Sequence, residues 1–174
     1  MNGRKAALLE RARRVKLVLT DCDGVLTEAG VWVSPRGEEA KRFSLRDGMG
    51  VERLRLLAGI ETGIVTREDS EIVRKRAEKL GIAELHLGVS RKATAVREVA
   101  ARRGLALPQL AFLGDDVNDL GAMEAVGFSA CPADAFPAVK ERAHFVCQSP
   151  GGQGAFREVA ELILLALFGE TPRF

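Results

Sequence analysis

Short apolar, β-branched runs alternate along this chain with longer stretches in which apolar residues recur at helical spacing. Val15-Lys16-Leu17-Val18-Leu19-Thr20 reads as a buried strand followed by turn residues. Further short apolar runs stand at 60–66, 85–87, 110–113, 127–131 and 144–146. Between them, 48–57, 69–80, 92–103, 117–126, 135–142 and 155–167 carry helical patterns. Gly81 and Gly104 follow two of these as C-caps, and Ser90 and Asp134 precede two as N-caps. Such alternation predicts an α/β fold: a three-layer, doubly wound parallel sheet with helices on both faces. One segment breaks the rhythm. Val31-Trp32-Val33, the turn Ser34-Pro35-Arg36-Gly37 and residues 39–45 read as a β-hairpin insertion at about 31–45. With no repeat, low-complexity tract or linker, 1–174 reads as one domain with a C-terminal tail at about 149–174.

Composition changes this picture little. The chain is 47% hydrophobic and 29% charged, ordinary for a globular protein. With 26 basic and 24 acidic residues the net charge is +2, which gives no argument for nucleic acid. The basic cluster Arg4, Lys5, Arg11, Arg13, Arg14 and Lys16 reads as a solvated helix face. Cys22, Cys131 and Cys147 are too widely spaced for a zinc or disulfide framework and read as small buried residues. No apolar signal core or membrane-length run is present, so the expectation is a soluble cytoplasmic protein with no nucleic-acid or membrane partner.

The chemistry gathers at strand ends. In open α/β sheets, ligands bind beyond the carboxyl ends of the strands. Asp21 and Asp23 follow the first predicted strand, Thr66 ends the second, and Asp115 and Asp116 follow Leu110-Ala111-Phe112-Leu113-Gly114; Lys92 adds an ammonium. Several carboxylates at one rim repel one another unless a hard cation is present, and Mg²⁺ prefers oxygen ligands. A carboxylate can attack phosphorus to give an aspartyl-phosphate, while a second one two residues on protonates the leaving alkoxide and then activates water. Strand alternation puts Asp21 and Asp23 on one side and Cys22 elsewhere, and Gly24 permits a tight turn whose amides can face a phosphate. Each piece also has a bland reading: a common DxD, a hydroxyl bonded to backbone, a solvated lysine, a helix-start acid pair. Their shared placement at one pocket selects between the two.

In that order, Asp21-x-Asp23-Gly24-Val25-Leu26-Thr27, Thr66, Lys92 and Gly114-Asp115-Asp116-Val117-Asn118-Asp119 resemble the four motifs of the haloacid dehalogenase superfamily of phosphohydrolases. The resemblance implies a Rossmann-like fold with Asp21 as nucleophile and Asp23 as general acid/base. Thr66 and Lys92 would hold the phosphoryl group. Mg²⁺ would be bound by Asp21, the Asp23 backbone carbonyl and Asp115, with Asp116 and Asp119 near the metal or steering Lys92. The family more often has glycine after the second-motif hydroxyl; here Arg67 follows, which keeps the hydroxyl.

The hairpin, the stretch Phe43-Ser44-Leu45-Arg46-Asp47-Gly48-Met49-Gly50 and the tail Gly151-Gly152-Gln153-Gly154-Ala155-Phe156-Arg157-Glu158 narrow the resemblance. They resemble the capless branch acting on 3-deoxy-D-manno-octulosonate 8-phosphate. That branch implies no cap domain and a homotetramer whose hairpin and tail help complete a neighbour's active site. Substrate candidates are then Gly24 and Arg67 near the phosphoryl site, with Arg46, Asp47, Gly151, Gly152 and Arg157 beyond it. A chain this short has little sequence for a lid, so water exclusion either comes from a partner or is incomplete.

The sugar stays open. Phe136 stands where octulosonate phosphatases often have His, and Glu68, Arg76 and Lys79 resemble relatives acting on nine-carbon, sialic-acid-type 9-phosphates. Arg76 and Lys79 could bind a sugar carboxylate across a subunit boundary; the same helix also carries ordinary pairs, Glu71 with Lys75 and Arg74 with Glu78. Two readings of other classes remain: a receiver-like phosphoacceptor, which the order of the acids argues against, and a catalytically silent oligomerisation domain, which the retention of Asp21, Asp23, Thr66, Lys92 and Asp115 argues against.

Overall fold

Side chains along the first strand, β1 (Leu17–Thr20), alternate between two cores: Leu17 and Leu19 enter one, Val18 the other. The strand β6 (Leu110–Leu113) repeats this, with Leu110 and Phe112 on one side and Ala111 and Leu113 on the other. A strand buried on both faces reads as the continuous apolar run that a covered parallel sheet requires. The computed structural model describes residues 3–170 and Pro172; Met1, Asn2 and the last part of the expected tail (Thr171, Arg173 and Phe174) lie outside the described residues.

The remaining sheet strands are β4 (Glu61–Val65), β5 (Glu84–His86), β7 (Phe128–Cys131) and β8 (Phe145–Val146). All six pair in parallel, in the order β5-β4-β1-β6-β7-β8. One face is covered by α1 (Gly3–Arg13), α2 (Leu45–Ala58), α3 (Glu71–Leu80) and α7 (Ala155–Phe168). The other carries α4 (Lys92–Arg103), α5 (Leu120–Ala125) and α6 (Pro137–Arg142). This is the expected three-layer, doubly wound α/β fold. Phe112, Phe128 and Phe156 are fully buried, each worth roughly 1.5–3 kcal/mol by transfer from water. From β1 the chain winds outward through β4 and β5, then returns along α4 to β6 on the other side of β1. The switch in direction therefore opens a crevice between the ends of β1 and β6.

The hairpin is present as β2 (Trp32–Ser34) and β3 (Gly37–Ala40), antiparallel and lying outside the main sheet. It is shorter than expected. The segment predicted as strand to residue 45 leaves the ladder at Ala40, and α2 begins at Leu45 rather than near residue 48. The reason is Ser44, whose hydroxyl accepts from the N–H of Arg46 (3.1 Å) and of Asp47 (3.4 Å) and so starts the helix early. The predicted helix at 117–126 divides into a 3₁₀ turn, Val117–Asp119, and α5. Gly81 and Gly104 are left-handed C-caps as expected. Ser90 and Asp134 are not N-caps: Arg91 precedes α4 without a side-chain cap, and Asp134 instead accepts from Gly151 N at 2.9 Å. The basic cluster is not merely solvated, since Arg11 and Arg13 donate to the carbonyls of Gly127 and Ala166, both at 2.9 Å. No helix among the described residues is long and apolar enough to cross a membrane.

The tail docks through α2. Helix α7 starts after Gly154, which has no side chain with which to satisfy the orphan N–H groups of its first turn. Asp47, buried in α2, supplies them: Oδ2 accepts from Gly154 N at 3.2 Å and Oδ1 from Arg157 N at 3.0 Å. Burial raises its pKa, against the pull of these amides. Arg53 of α2 adds a 2.7 Å ion pair to Glu161 of α7. Asp47→Ala should therefore lower stability by about 1–3 kcal/mol, measured as a shift in urea midpoint at unchanged slope; an unchanged midpoint would mean that water replaces the cap at no cost.

Candidate active site

The crevice is built by the first residues beyond two neighbouring strands. Asp21 N donates to Leu113 O at 2.8 Å, carrying the β1–β6 ladder one step past the strand and fixing Asp21 beside the residues that follow β6. Its Oδ1 accepts from Cys22 N at 2.7 Å and lies 2.9 Å from Lys92 Nζ. Lys92 opens α4 and is buried, with Nζ also 2.6 Å from Asp119 Oδ1. The second oxygen of Asp119 accepts from the N–H of Asp115 (3.0 Å) and of Asp116 (3.4 Å), so this buried carboxylate orders the loop after β6. Thr66 follows β4, its N–H donating to His86 O and its carbonyl accepting from Val89 N, both at 2.9 Å.

These groups meet beneath a hollow of about 220 Å³ lined by Asp21, Asp23, Ala29, Thr66, Arg67, Glu68, Asp115, Asp116 and Asn118. Gly24 is required here: with φ +88°, a Cβ built on it would stand 2.0 Å from Asp115 Oδ2. The missing side chain lets Asp115 approach the Asp21 loop. The Gly24 N–H makes a long 3.4 Å contact to Thr27 Oγ1.

The electrostatics are those of acids forced together. One oxygen each from Asp21, Asp115 and Asp119 lie within 4.8 Å of one another. Burial, then the neighbouring Asp119, raises the Asp21 pKa to about 6 against the opposing pull of Lys92. Burial, then Asp21, Asp119 and Asp116, raises Asp115 to about 7. Burial alone would lower Lys92, but Asp21 and Asp119 together hold it above its ordinary value. Asp115 Oδ1 is buried with no hydrogen-bond partner among the described residues. An orphaned carboxylate oxygen beside a second acid, all hard oxygen donors, fits a divalent cation such as Mg²⁺. Asp119, both oxygens already engaged, leaves Asp21 and Asp115 as the pair open to it. Asp116 lines the hollow, but its Oδ1 accepts from Val117 N at 2.6 Å.

Other expected site residues stand apart from this hollow within one chain. Arg46 and Gly152 line a separate hollow of about 420 Å³ with Arg42 and Phe43. Asp47 caps α7. Arg76 donates to Ser44 O at 3.0 Å and stacks over the Phe43 ring at 5.4 Å; Lys79 is exposed on the last turn of α3; Arg157 pairs with Glu161 at 2.7 Å. Gly151 and Gly152 press on the Asp21 loop: a Cβ on Gly151 would meet Gly24 O at 2.0 Å, and Gly152 N donates to Val25 O at 2.9 Å. One group that sequence reasoning passed over reaches the site. Lys41, just past β3, lies 2.7 Å from Asp23 Oδ2. Its only signal was a basic residue in a hairpin, which ordinarily means a solvated one.

Acids, a lysine and a hydroxyl set at the switch point of a parallel sheet define a phosphatase on a doubly wound α/β scaffold. Residues 66–157 match the family model for haloacid dehalogenase-like hydrolases. The chain belongs to the haloacid dehalogenase-like hydrolases, which sets aside the receiver-like reading. It is 38% identical over 159 residues to 3-deoxy-D-manno-octulosonate 8-phosphate phosphatase KdsC of Yersinia pestis, covering 91% of this chain and 84% of that protein. The structure of the Moraxella catarrhalis 3-deoxy-D-manno-octulosonate 8-phosphate phosphatase, in complex with magnesium, phosphate and the sugar acid, superposes with TM-score 0.88 at 33% identity and covers 91% of each chain. The cobalt-bound phosphatase of Haemophilus influenzae gives 0.87 at 39% identity, covering 90% of this chain and 91% of that one.

The raised acids have a consequence for stability. Folded Asp21 and Asp115 keep protons that an unfolded chain releases near pH 4, so the folded state binds more protons between about pH 4 and 7. The contribution of this cluster to stability is then greatest below pH 4, falls as pH rises to about 7, and is flat beyond. A cation competing for the same oxygens should reverse the loss. Added Mg²⁺ is expected to raise the melting temperature more at pH 8 than at pH 5 in differential scanning fluorimetry; an equal or opposite response would remove the cluster as the cation site.

Proposed function

We propose that this chain is a magnesium-dependent phosphatase of 2-keto-3-deoxy sugar acid phosphates, with 3-deoxy-D-manno-octulosonate 8-phosphate as first substrate and an aspartyl-phosphate on Asp21 as intermediate. One observation carries this: Asp21, buried and held by Lys92, lies beside the unpartnered Asp115 oxygen under a hollow reached by Asp23 and Thr66. The sugar acid bound in the Moraxella catarrhalis relative supports the substrate class.

Lys92 and the Cys22 N–H occupy Oδ1 of Asp21, which leaves Oδ2 to attack phosphorus. As that bond forms, the ester P–O bond breaks and Asp23 gives its proton to the departing sugar oxygen. Asp23, now a carboxylate, takes a proton from water, whose oxygen attacks phosphorus. The Asp21–phosphorus bond breaks, phosphate leaves and both acids are restored. The Thr66 hydroxyl and the Lys92 ammonium hold the phosphoryl oxygens throughout. Asp21, Asp115 and the Asp23 carbonyl would hold the cation, which would supply positive charge to offset that of the phosphoryl group.

A second reading, a nine-carbon acid 9-phosphate, is favoured by Glu68, which lines the same hollow as Asp21 and Thr66. Phosphate release from both acid phosphates, with and without Mg²⁺, decides between them. The expected result is Mg²⁺-dependent turnover with kcat/KM at least about tenfold higher for the eight-carbon acid; the reverse order transfers the assignment to the nine-carbon class. Asp21→Asn should lower kcat by roughly 10³-fold or more and Asp23→Asn by about 10²–10⁴. Near-normal turnover of Asp21→Asn would sink the mechanism.

We also assign a homotetramer with shared active sites. Trp32 and Val33 at the hairpin are 58% and 69% exposed, apolar surface that a neighbouring subunit would cover, and Arg46, Arg76 and Lys79 stand away from their own hollow. Light scattering is expected to return four times the chain mass at working concentrations; a monomer there removes the sharing.

A further inference from the structure

The Asp23 carboxylate does not stand free at the edge of the hollow. Its Oδ1 accepts from Thr27 Oγ1 at 3.2 Å and its Oδ2 from Lys41 Nζ at 2.7 Å. Lys41 follows β3 in a hairpin otherwise open to water, yet its side chain is only 3% exposed. A lysine at such a place ordinarily swings its ammonium into solvent, and burying that charge costs free energy unless partners meet it. Here two do. The ammonium lies 2.7 Å from Asp23 and 3.2 Å from Glu38 Oε2, and the other Glu38 oxygen accepts from the Ser70 hydroxyl. Ser70 is the N-cap of α3, a few residues past Thr66. A continuous polar chain thus runs from Asp23 through the hairpin to the start of α3, tying the hairpin to two loops of the rim.

The pattern is more than an anchor. Pinning a hairpin needs no buried cation, and surface ion pairs such as Arg36 with Glu39 could hold its strands. What the buried ammonium adds is one fixed direction for a carboxylate with free rotation about its side-chain bonds. Proton transfer depends steeply on such aim, since the acid must lie within hydrogen-bond reach of the leaving oxygen.

We propose that Lys41 is a positioning residue for the reaction: it fixes the Asp23 side chain, with Glu38 and Ser70 holding Lys41 in turn, so that the seating of the hairpin and the aim of the acid/base form one mechanical unit. This rests on the reading of Asp23 as acid/base. Lys41 acts through Asp23 and leaves the nucleophile and its phosphoryl contacts as they are.

The test uses leaving groups that differ in their need for a proton. With the full chain and Mg²⁺, kcat/KM is measured for the sugar acid phosphate, an alkyl ester, and for 4-nitrophenyl phosphate, whose leaving group departs unprotonated. Lys41→Met should lower the first at least about tenfold more than the second, and Lys41→Arg should recover most of the loss. In an Asp23→Asn background, Lys41→Met should add less than about threefold, since the residue it serves is gone. Equal losses on both esters, or a full further loss in the Asp23→Asn background, would overturn the proposal. A slow Asp23→Asn with a normal Lys41→Met overturns the proposal alone; a normal Asp23→Asn overturns the acid/base reading and the proposal together. Should Lys41→Met fail to fold by thermal melting, Glu38→Gln, which leaves Lys41 and Asp23 in place, carries the same comparison: a bias against the alkyl ester supports the proposal and equal losses refute it.

Discussion

Everything at the rim depends on holding three carboxylates around one buried ammonium. Two like charges about 4 Å apart in surroundings of intermediate polarity repel by about 4 kcal/mol, so Asp21, Asp115 and Asp119 cannot share this space as bare anions. Lys92 meets Asp21 and Asp119, and the loop amides meet Asp119 from the other side. Asp115 is the acid left over. Lys92 also stands where a helix disfavours it, in the first turn of α4, where the aligned peptide dipoles are already positive. A residue placed against local preference at the convergence of three acids is a cost accepted for the chemistry there.

The same economy appears in how the second half of the chain supports the first. Gly24 gives way to Asp115, and Gly151 in turn gives way to Gly24. The Gly24 and Gly151 backbones therefore lie closer than a side chain on Gly151 would allow, and the Asp115 carboxylate fills the space that a side chain on Gly24 would take. A glycine-rich tail that suggests substrate contact on paper has, within one chain, a mechanical duty: it backs the loop that carries Asp21 and Asp23. Asp47 extends this by capping α7, a task that no pattern of polar residues would distinguish from binding a sugar hydroxyl.

The parallel sheet was legible because strands buried on both faces must read as apolar runs, and the convergence at the rim because acids stood just past those runs. Leu17 to Asp21 and Leu110 to Asp115 show this at its clearest. What escaped was set by contacts between segments remote in sequence. The start of α2 depended on one hydroxyl, Ser44; the loss of the Asp134 cap followed from Gly151 taking its carboxylate; Arg11 and Arg13 found carbonyls on β7's approach and on α7. Lys41 was hidden for the same reason, since its partner Asp23 lies 18 residues earlier and no periodicity connects them.

The contact of Gly151 and Gly152 with the Gly24–Thr27 loop also has a meaning in time. On a ribosome the motif bearing Asp21 emerges early, while its backing emerges only after nearly all of the sheet. A nascent chain can pair β1 with β4 and bury much of its apolar surface, yet the loop at the end of β1 stays without its brace until residues 151–157 are released. The partners of Asp21 itself, Cys22, Lys92 and Leu113, all precede that brace in the chain, so the segment made last backs the loop after the nucleophile and not the nucleophile's own contacts.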